Sequence, residues 1–270
     1  MTMETTNLTI NTLKKMFKEG KRFDGRGLDE YRDFEISYNV SNKAEGSARV
    51  KLGKTEVIVG VKLAPGTPYP DSLDKGNLMV SGDLLPLASP RFESGPPGFA
   101  AIELPRLVDR AIRESHIIDL SKLVIKEREK VWTVFIDIYP LNDDGNLLDA
   151  ACLGATAALK VTKIPELNEN GTVDYDKKAK KELPLAEGIA PITISFFKLG
   201  ETIILDPTRE EEEACEARVS FGVSLWNKQH MINSCQKSKV ATFTAKEIES
   251  MMEMLPKKFD KLSEKLKKFL

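Results

Sequence analysis

The chain carries two successive runs of strand patterns, and helix patterns follow each run. In the first half Phe34, Ile36, Tyr38 and Val40 alternate with polar residues, as do Val57, Val59, Val61 and Leu63. In the second half the strand-like segments are ITISFFKLG, ETIILD, ARVSFGVSLW and QHMINSCQ. Alternation with period two is typical of strands that bury one face. Strands followed by helices, twice over, predict an α+β protein built from two halves.

Polar and proline-containing segments divide the chain into four regions. Residues 1–20 are predicted to hold an N-terminal helix, and residues 21–162 the first half. Residues 163–190, which include KIPELNENGTVDYDKKAKKELP, are predicted to be a linker or insertion. Residues 191–270 form the second half, ending in a pair of C-terminal helices broken at Pro256.

The residue patterns of three internal segments predict two helices and a strand. Residues 103–119 predict a helix with a buried apolar stripe, and Pro105 is expected in its first turn because proline disrupts a helix interior. VWTVFIDIY, at 131–139, is apolar on both faces and predicts a central strand covered on both sides. LLDAACLGATAALK, at 147–160, predicts a small-residue helix that packs closely on a sheet.

Composition excludes several classes of protein. The 40 basic and 41 acidic residues give a formal net charge of −1, so any nucleic-acid binding must use a local basic patch. The three cysteines are widely spaced and lie in no CxxC pair, which favours buried free thiols over a zinc site or disulfides. The sequence shows neither a signal peptide nor a membrane-spanning run, so we expect a cytoplasmic protein. We also expect no metal and no cofactor.

Charged side chains at helical spacing make up the main candidate site. Arg106, Arg110 and Arg113 recur along one helix. These arginines either pair with neighbouring acids on a solvated face or hold an anion. His116 has no partner at metal-ligand spacing, and Arg26 is of a kind that usually holds a domain or subunit contact, so both are interpreted as structural. The lysine-rich segment KKFDKLSEKLKKFL is typical of a solvated terminal helix, with RNA or membrane binding as alternatives.

Five segments, in order along the chain, resemble the RNase PH family of phosphate-dependent RNA-degrading proteins. Three of them are FDGRGLDEYRDFEI, EGSARVKLGKTEVIVGV and ILDPTREEEEACEARVSFGV. The other two are the arginine helix and the DDG loop before the alanine-rich helix. The resemblance implies two RNase PH-like halves, each a four-stranded mixed sheet packed on helices. It also implies six such chains closed into a ring, and shortening of RNA from its 3′ end by attack of inorganic phosphate.

Phosphate binding needs backbone N–H groups at a helix N-terminus and a fixed cation. Active members of the family carry an arginine for this purpose in the stretch that enters the alanine-rich helix. Here the matching position is Leu148, and Asp149 follows it with a charge expected to repel phosphate. The cation that the reaction requires is therefore missing.

Active members also place three aspartates at spacings of six and six after a strand. Counting from Asp206 gives Glu212 and then Arg218. A glutamate can replace the middle acid, but an arginine can neither coordinate a metal cation nor act as an acid at neutral pH. Both chemical requirements therefore fail at independent positions of the sequence.

With this double loss, the chain resembles a non-catalytic branch of the family. The subunit of that branch alternates with a catalytic RNase PH-like subunit in the archaeal exosome, which is a ring of three heterodimers. The loop APGTPYPDSLDKGN supports the same branch. The resemblance implies single-stranded RNA and RNA-binding cap proteins as further partners, no membrane, and RNA contact by Arg106 and Arg110, with Arg113 as a weaker candidate. The alternatives are an active phosphate-dependent 3′-to-5′ exoribonuclease with a diverged site, or a solitary RNA-binding module, which should be basic overall.

Overall fold

A computed structural model of the chain describes residues 5–175, 177 and 179–267. The helices are α1 (Asn7–Lys18), α2 (Phe99–Arg113), α3 (Leu147–Val161), α4 (Arg209–Ala214) and α5 (Ala245–Lys267). The strands of the first sheet are β1 (Phe34–Tyr38), β2 (Gly46–Leu52), β3 (Thr55–Gly66), β4 (Asn77–Gly82), β5 (Val124–Lys126) and β6 (Lys130–Asn142). Two short strands, β7 (Lys163–Ile164) and β8 (Lys181–Glu182), pair with each other. The second sheet contains β9 (Ile192–Leu199), β10 (Thr202–Leu205), β11 (Ala217–Trp226) and β12 (Gln229–Ser238).

Two sheets and the helices between them confirm the predicted α+β class. The first sheet has the order β1-β2-β3-β6-β4, with β5 paired beside β6, and only β4 runs parallel to its neighbour. Its strand count was predicted wrongly: there are six strands, not four, because two short strands, β1 and β5, extend it. The second sheet has the predicted four strands, in the order β10-β9-β11-β12, but every pairing is antiparallel rather than mixed.

Helix α3 lies between the two sheets, as its small residues suggested. All of its residues from Leu148 to Leu159 are buried, and it packs on β2 and β3 of one sheet and on β9 of the other. A Cβ atom added at Gly154 would lie 2.8 Å from a methyl group of Val59, so glycine permits this close approach. Helix α2 lies beside α3 and contacts β4 and β12, and α5 packs against β9. The core therefore joins both halves into one structure.

Several local predictions need correction. Pro105 lies in the seventh position of α2, not its first turn, because the helix begins earlier, at Phe99. The C-terminal pair is one continuous helix through Pro256, since buried residues on both sides of the proline hold it against the core; residues 268–270 lie outside the described residues. Strand β6 is central in its sheet, but one face is only partly covered, with Tyr139 exposed there. Cys152 and Cys215 are buried free thiols as expected, whereas Cys235 is exposed.

In the described part of the chain, no helix has both the length and the apolar character that crossing a membrane requires.

Candidate functional site

The positions that the sequence predicted to be degenerate surround one cavity of about 450 Å³. The N-terminus of α3 contributes Leu147 and Leu148, helix α2 contributes Glu103, and the start of β11 contributes Arg218. Helix α4 places Glu212 at the same cavity. The fold thus assembles, at one place, the elements that phosphate binding would use.

The loop before α3 has its own partners for its backbone N–H groups. The N–H of Asp144 donates to Thr55 Oγ1 at 3.2 Å, and that of Gly145 donates to the Asp143 carboxylate at 3.1 Å. The N–H of Asn146 donates to the Glu212 carboxylate at 2.6 Å. A carboxylate of the chain itself therefore accepts the N–H of the residue that precedes α3, beside the helix end that favours anions.

Leu148 is only 4% exposed and places an apolar side chain at the cavity. The neighbouring Asp149 does not face the cavity, so the expectation that it repels phosphate there was wrong. Its carboxylate is fully buried and accepts hydrogen bonds from Tyr31 Oη at 2.8 Å, Ser195 Oγ at 2.7 Å and Asn146 Nδ2 at 3.1 Å. Burial raises the pKa of the Asp149 carboxyl to about 7. Asp149 joins α3 to β9 and is a structural acid.

Asp206 also lies away from the cavity, in a buried cluster of arginines. Arg32 donates to both of its carboxylate oxygens, at 2.9 and 2.7 Å, and Arg26 donates to one of them at 3.0 Å. Beside this cluster Arg22 donates to Glu211 through Nε at 3.0 Å, and both side chains are buried. Asp206 therefore binds guanidinium groups that tie the N-terminal loop to the second half.

This arginine cluster was only partly foreseen. The contacts of Arg26 agree with its structural interpretation. Arg32 lies within the segment FDGRGLDEYRDFEI, so the sequence offered a signal for it. For Arg22 and Glu211 no sequence signal was available, because these two residues are 189 positions apart.

The remaining two positions of the spaced acids both have partners within the chain. Glu212 is engaged by the N–H of Asn146, and Arg218 Nη2 lies 2.8 Å from the Glu103 carboxylate of α2. Two further cations line the cavity. Arg91 pairs with the Asp143 carboxylate at 2.7 Å. The Lys239 ammonium donates to the backbone carbonyls of Glu212 and Cys215, and burial lowers its pKa. Among the described residues, no group of three His, Cys, Asp or Glu side chains could hold a metal ion.

The arginines of α2 divide into two kinds. Arg106 and Arg110 are exposed, and neither has a hydrogen bond or ion pair with any described residue. Two of the three acids expected to pair with them, which are Glu103, Asp109 and Glu114, have other partners. Glu103 faces Arg218, and Asp109 pairs with Arg113 at 2.6 Å.

Arg113 has a second partner besides Asp109, since it also donates to the carbonyl of Leu78 in β4 at 2.9 Å. RNA binding by the three arginines stays a prediction, and these contacts favour a structural role for Arg113. His116 lies just beyond α2, exposed and in the left-handed conformation with φ 53°.

Comparisons with known proteins agree with this arrangement. Residues 30–165 match the model of domain 1 of the 3′ exoribonuclease family, and residues 190–254 match that of domain 2. The exosome complex component Rrp42 of Methanocella arvoryzae is 48% identical over 248 residues, 92% of this chain and 91% of that protein. The protein of the same name from Archaeoglobus fulgidus is 45% identical over 250 residues, 93% of this chain and 92% of that protein.

Solved structures give the same result. A chain of the Archaeoglobus fulgidus exosome with RNA bound to the active site has a TM-score of 0.87 and 43% identity, covering 96% of this chain and 98% of that one. A chain of an archaeal exosome core has a TM-score of 0.84 and 39% identity, covering 97% of each chain. Rice Rrp46, at 20% identity and a TM-score of 0.65, shares the fold.

Proposed function

This chain belongs to the 3′ exoribonuclease family, and we propose that it is a non-catalytic subunit of a cytoplasmic archaeal-type exosome ring. In this proposal it degrades no RNA itself. It shapes the active site of a catalytic RNase PH-like partner, alternates with that partner in three heterodimers, and helps to hold single-stranded RNA. RNA-binding cap proteins complete the assembly.

The acid beside the start of α3 and the apolar residue within its first turn carry the proposal. Phosphate is the nucleophile of the family reaction, and it needs free N–H donors and a cation. Here Glu212 accepts the N–H of Asn146, and Leu148 stands at the position of the expected cation. Arg218, at the position of the third acid, faces Glu103 instead of offering a carboxylate. The rival function, an active exoribonuclease with a diverged site, needs a cation that is free to bind phosphate. The cations of this cavity already have partners, because Arg91 pairs with Asp143, Arg218 with Glu103, and Lys239 with backbone carbonyls.

The free arginines of α2 support a role in holding RNA. Arg106 and Arg110 are four residues apart, so they lie on the same side of the helix, and both are exposed and unpaired among the described residues. Guanidinium groups suit phosphate oxygens because their N–H donors match them in a planar fork. Contacts to phosphates carry no base information, which suits a ring that degrades any sequence.

Partly apolar surface on the first sheet supports assembly with a partner. On its outer face Met79 of β4 and Tyr139 of β6 are exposed, and Phe99 and Ile102 at the start of α2 are exposed as well. Large apolar side chains left on a surface often mark a protein interface, and obligate interfaces are large and apolar. We propose that the catalytic partner covers this surface.

The activity proposal is tested by phosphate-dependent release of nucleoside diphosphates from a 3′ RNA end. The purified chain should release none at any phosphate concentration, and addition of a catalytic family member should give activity. Turnover by rigorously partner-free protein would contradict the proposal and support the rival enzyme.

Assembly is tested separately by light scattering of the same mixture. We expect the mass of a closed hexamer with equal amounts of both chains. If only separate monomers remain after mixing, the ring proposal is wrong even where the chain proves inactive.

A further inference from the structure

A second cavity, of about 600 Å³, lies at the other end of α3 from the first. It is bounded by Lys160 in the last turn of α3, by residues 186–190, by the β11–β12 turn at 225–228, and by Ser263, Leu266 and Lys267 of α5. We call it the Trp226 groove. Since α3 has 15 residues and a helix rises 1.5 Å per residue, the two cavities are separated by about 20 Å.

Trp226 gives the groove an aromatic wall. Its side chain is 52% exposed, whereas the other tryptophan, Trp132, is only 8% exposed. The strand ends at Trp226, and Asn227 and Lys228 follow with φ angles of 49° and 66°. Two consecutive residues with positive φ make the tight hairpin turn that matches strand twist. The indole is therefore presented by a rigid hairpin and would lose little freedom on binding a ligand.

Three cations line the same groove. They are Lys160, Lys228 and Lys267, and none of their ammonium groups has a hydrogen bond or ion pair with a described residue. Glu187 is the single acid among the lining residues, so the groove carries a net charge of about +2.

Two of these lysines have a simpler explanation. Lys160 and Lys267 lie in the last turns of α3 and α5, where cations offset the negative end of the helix dipole. Lys228 has no such explanation. It adopts a left-handed conformation that glycine or asparagine would take with less strain, and it places a charge beside the indole.

The rest of the groove is lined by small and apolar side chains. Ala186, Gly188 and Ala190 have minimal side chains, and Leu225 and Leu266 supply apolar surface. An aromatic wall, apolar lining residues and unpaired cations suit a ligand that has both a planar ring and negative charge. Single-stranded nucleic acid has this chemistry, since its bases stack on aromatic side chains while its phosphates attract lysines.

We propose that the Trp226 groove binds a short segment of single-stranded RNA, with one base stacked on Trp226 and neighbouring phosphates held by Lys160, Lys228 and Lys267. The proposed exosome role supplies the choice of RNA as the nucleic acid. The groove itself is independent of Arg106 and Arg110 and provides a second point of contact on the same chain.

Intrinsic fluorescence tests this directly, because Trp132 is buried and Trp226 is exposed. Single-stranded oligoadenylate is titrated into the full chain at low salt, and RNA binding is followed in parallel by anisotropy of the labelled oligonucleotide. We expect binding to quench the Trp226 emission and to protect it from iodide. Trp226→Leu should weaken binding about tenfold, since stacking of one base is worth roughly 1–3 kcal/mol. Lys228→Gln should lower the slope of log K against log salt by about 0.7.

Tyr175→Leu is the matched control. Tyr175 is an exposed aromatic residue with Lys62 5.0 Å from its ring centroid, and it lies outside the groove, so its replacement should leave binding unchanged. The titration is repeated in Arg106→Gln/Arg110→Gln protein, where quenching of Trp226 should persist even if affinity falls. This separates the groove from the proposed role of α2.

Three results would overturn the proposal. One is an anisotropy change without any change in Trp226 emission. Another is the absence of any binding of oligoadenylate at low salt. The third is quenching by the catalytic partner protein but not by RNA, which would identify the groove as a protein interface.

Discussion

Five arginines of this chain occupy two contrasting environments. Arg22, Arg26 and Arg32 lie where the N-terminal loop meets the second half, and their donors are satisfied by Asp206, Glu211 and backbone carbonyls. Arg106 and Arg110 lie on an exposed helix face without a partner among the described residues. The guanidinium donors of the first group are bonded within the fold, whereas those of the second group are free to bind a ligand.

The buried group shows what arginine requires inside a protein. Arg32 is 9% exposed and Asp206 is fully buried, so both charges have lost most of their water. This loss of water is compensated by hydrogen bonds, because Arg32 donates to both oxygens of the Asp206 carboxylate. Arg32 also donates to the carbonyls of Asp144 and Gly145, at 2.9 and 3.1 Å. Such a cluster stabilises the fold only while every member is present.

The largest effect should follow from removing the shared acid. Asp206→Ala leaves Arg26 and Arg32 buried or half-buried without their carboxylate, and we expect the free energy of unfolding to fall by about 3–5 kcal/mol. Urea denaturation of the purified chain measures this loss.

The control for this change is Asp24→Ala. Asp24 also pairs with Arg26, but it lies at a partly exposed site, so its loss should cost only about 0–1 kcal/mol. Equal losses for the two variants would show that burial does not distinguish these ion pairs.

A second effect concerns the buried acid Asp149. Burial raises its folded-state pKa to about 7, above the value near 4 of an unfolded chain. The folded protein therefore holds a proton that the unfolded chain releases between about pH 4 and pH 7, so this group's contribution to stability is complete below pH 4 and is lost as pH rises towards 7.

Urea denaturation across this pH range should show the decline in the original protein and a flatter profile in Asp149→Asn. A profile that is unchanged by the substitution would mean that Asp149 is ionised in the fold throughout this range.

The exposed group should respond in RNA binding rather than in stability. Arg106→Ala/Arg110→Ala should lower the slope of log K against log salt by about 1.4 for single-stranded RNA on the assembled ring. The loss should be equal for purine and pyrimidine tracts, and the free energy of unfolding should change by no more than about 0.5 kcal/mol.

Arg113→Gln provides the matched change on the same helix. Arg113 is held by Asp109 and by the carbonyl of Leu78, so its replacement should leave the salt slope unchanged. If the double variant keeps the original slope, Arg106 and Arg110 belong to a solvated face and the RNA-binding part of the proposal fails.

The sequence predicted much of this fold because its signals are local. Alternating apolar residues placed the main strands, and the small residues of 147–160 anticipated a helix that packs closely on a sheet. Leu148 and Arg218 were identified from the resemblance to the motifs of active family members, and the structure brings both to one cavity. The errors at Pro105 and Pro256 have one cause. Burial of the apolar faces of α2 and α5 outweighs the hydrogen bond that each proline removes.

The partners of the charged side chains could not be read from the sequence. Arg22 and Glu211 are separated by 189 positions, and Asn146 and Glu212 by 66, so their pairing depends on how the halves pack. Local spacing left open whether Arg106 and Arg110 pair with acids of their own helix or hold an anion. In the structure Glu103 forms an ion pair with Arg218 of the second sheet. The availability of an arginine for a ligand is thus a tertiary property.

The central claim is that this chain contributes structure and cations, but no phosphorolytic centre, to a ring. Its most direct test is a ring assembled from the original chain and a catalytic partner whose phosphate-binding arginine has been replaced. A ring with the unaltered partner shows that the assay detects activity. We expect the altered ring to bind RNA and to release no nucleoside diphosphate at any phosphate concentration. Phosphate-dependent shortening of RNA by the altered ring would contradict the account, because the only remaining centre would be the cavity beside Leu148 and Arg218.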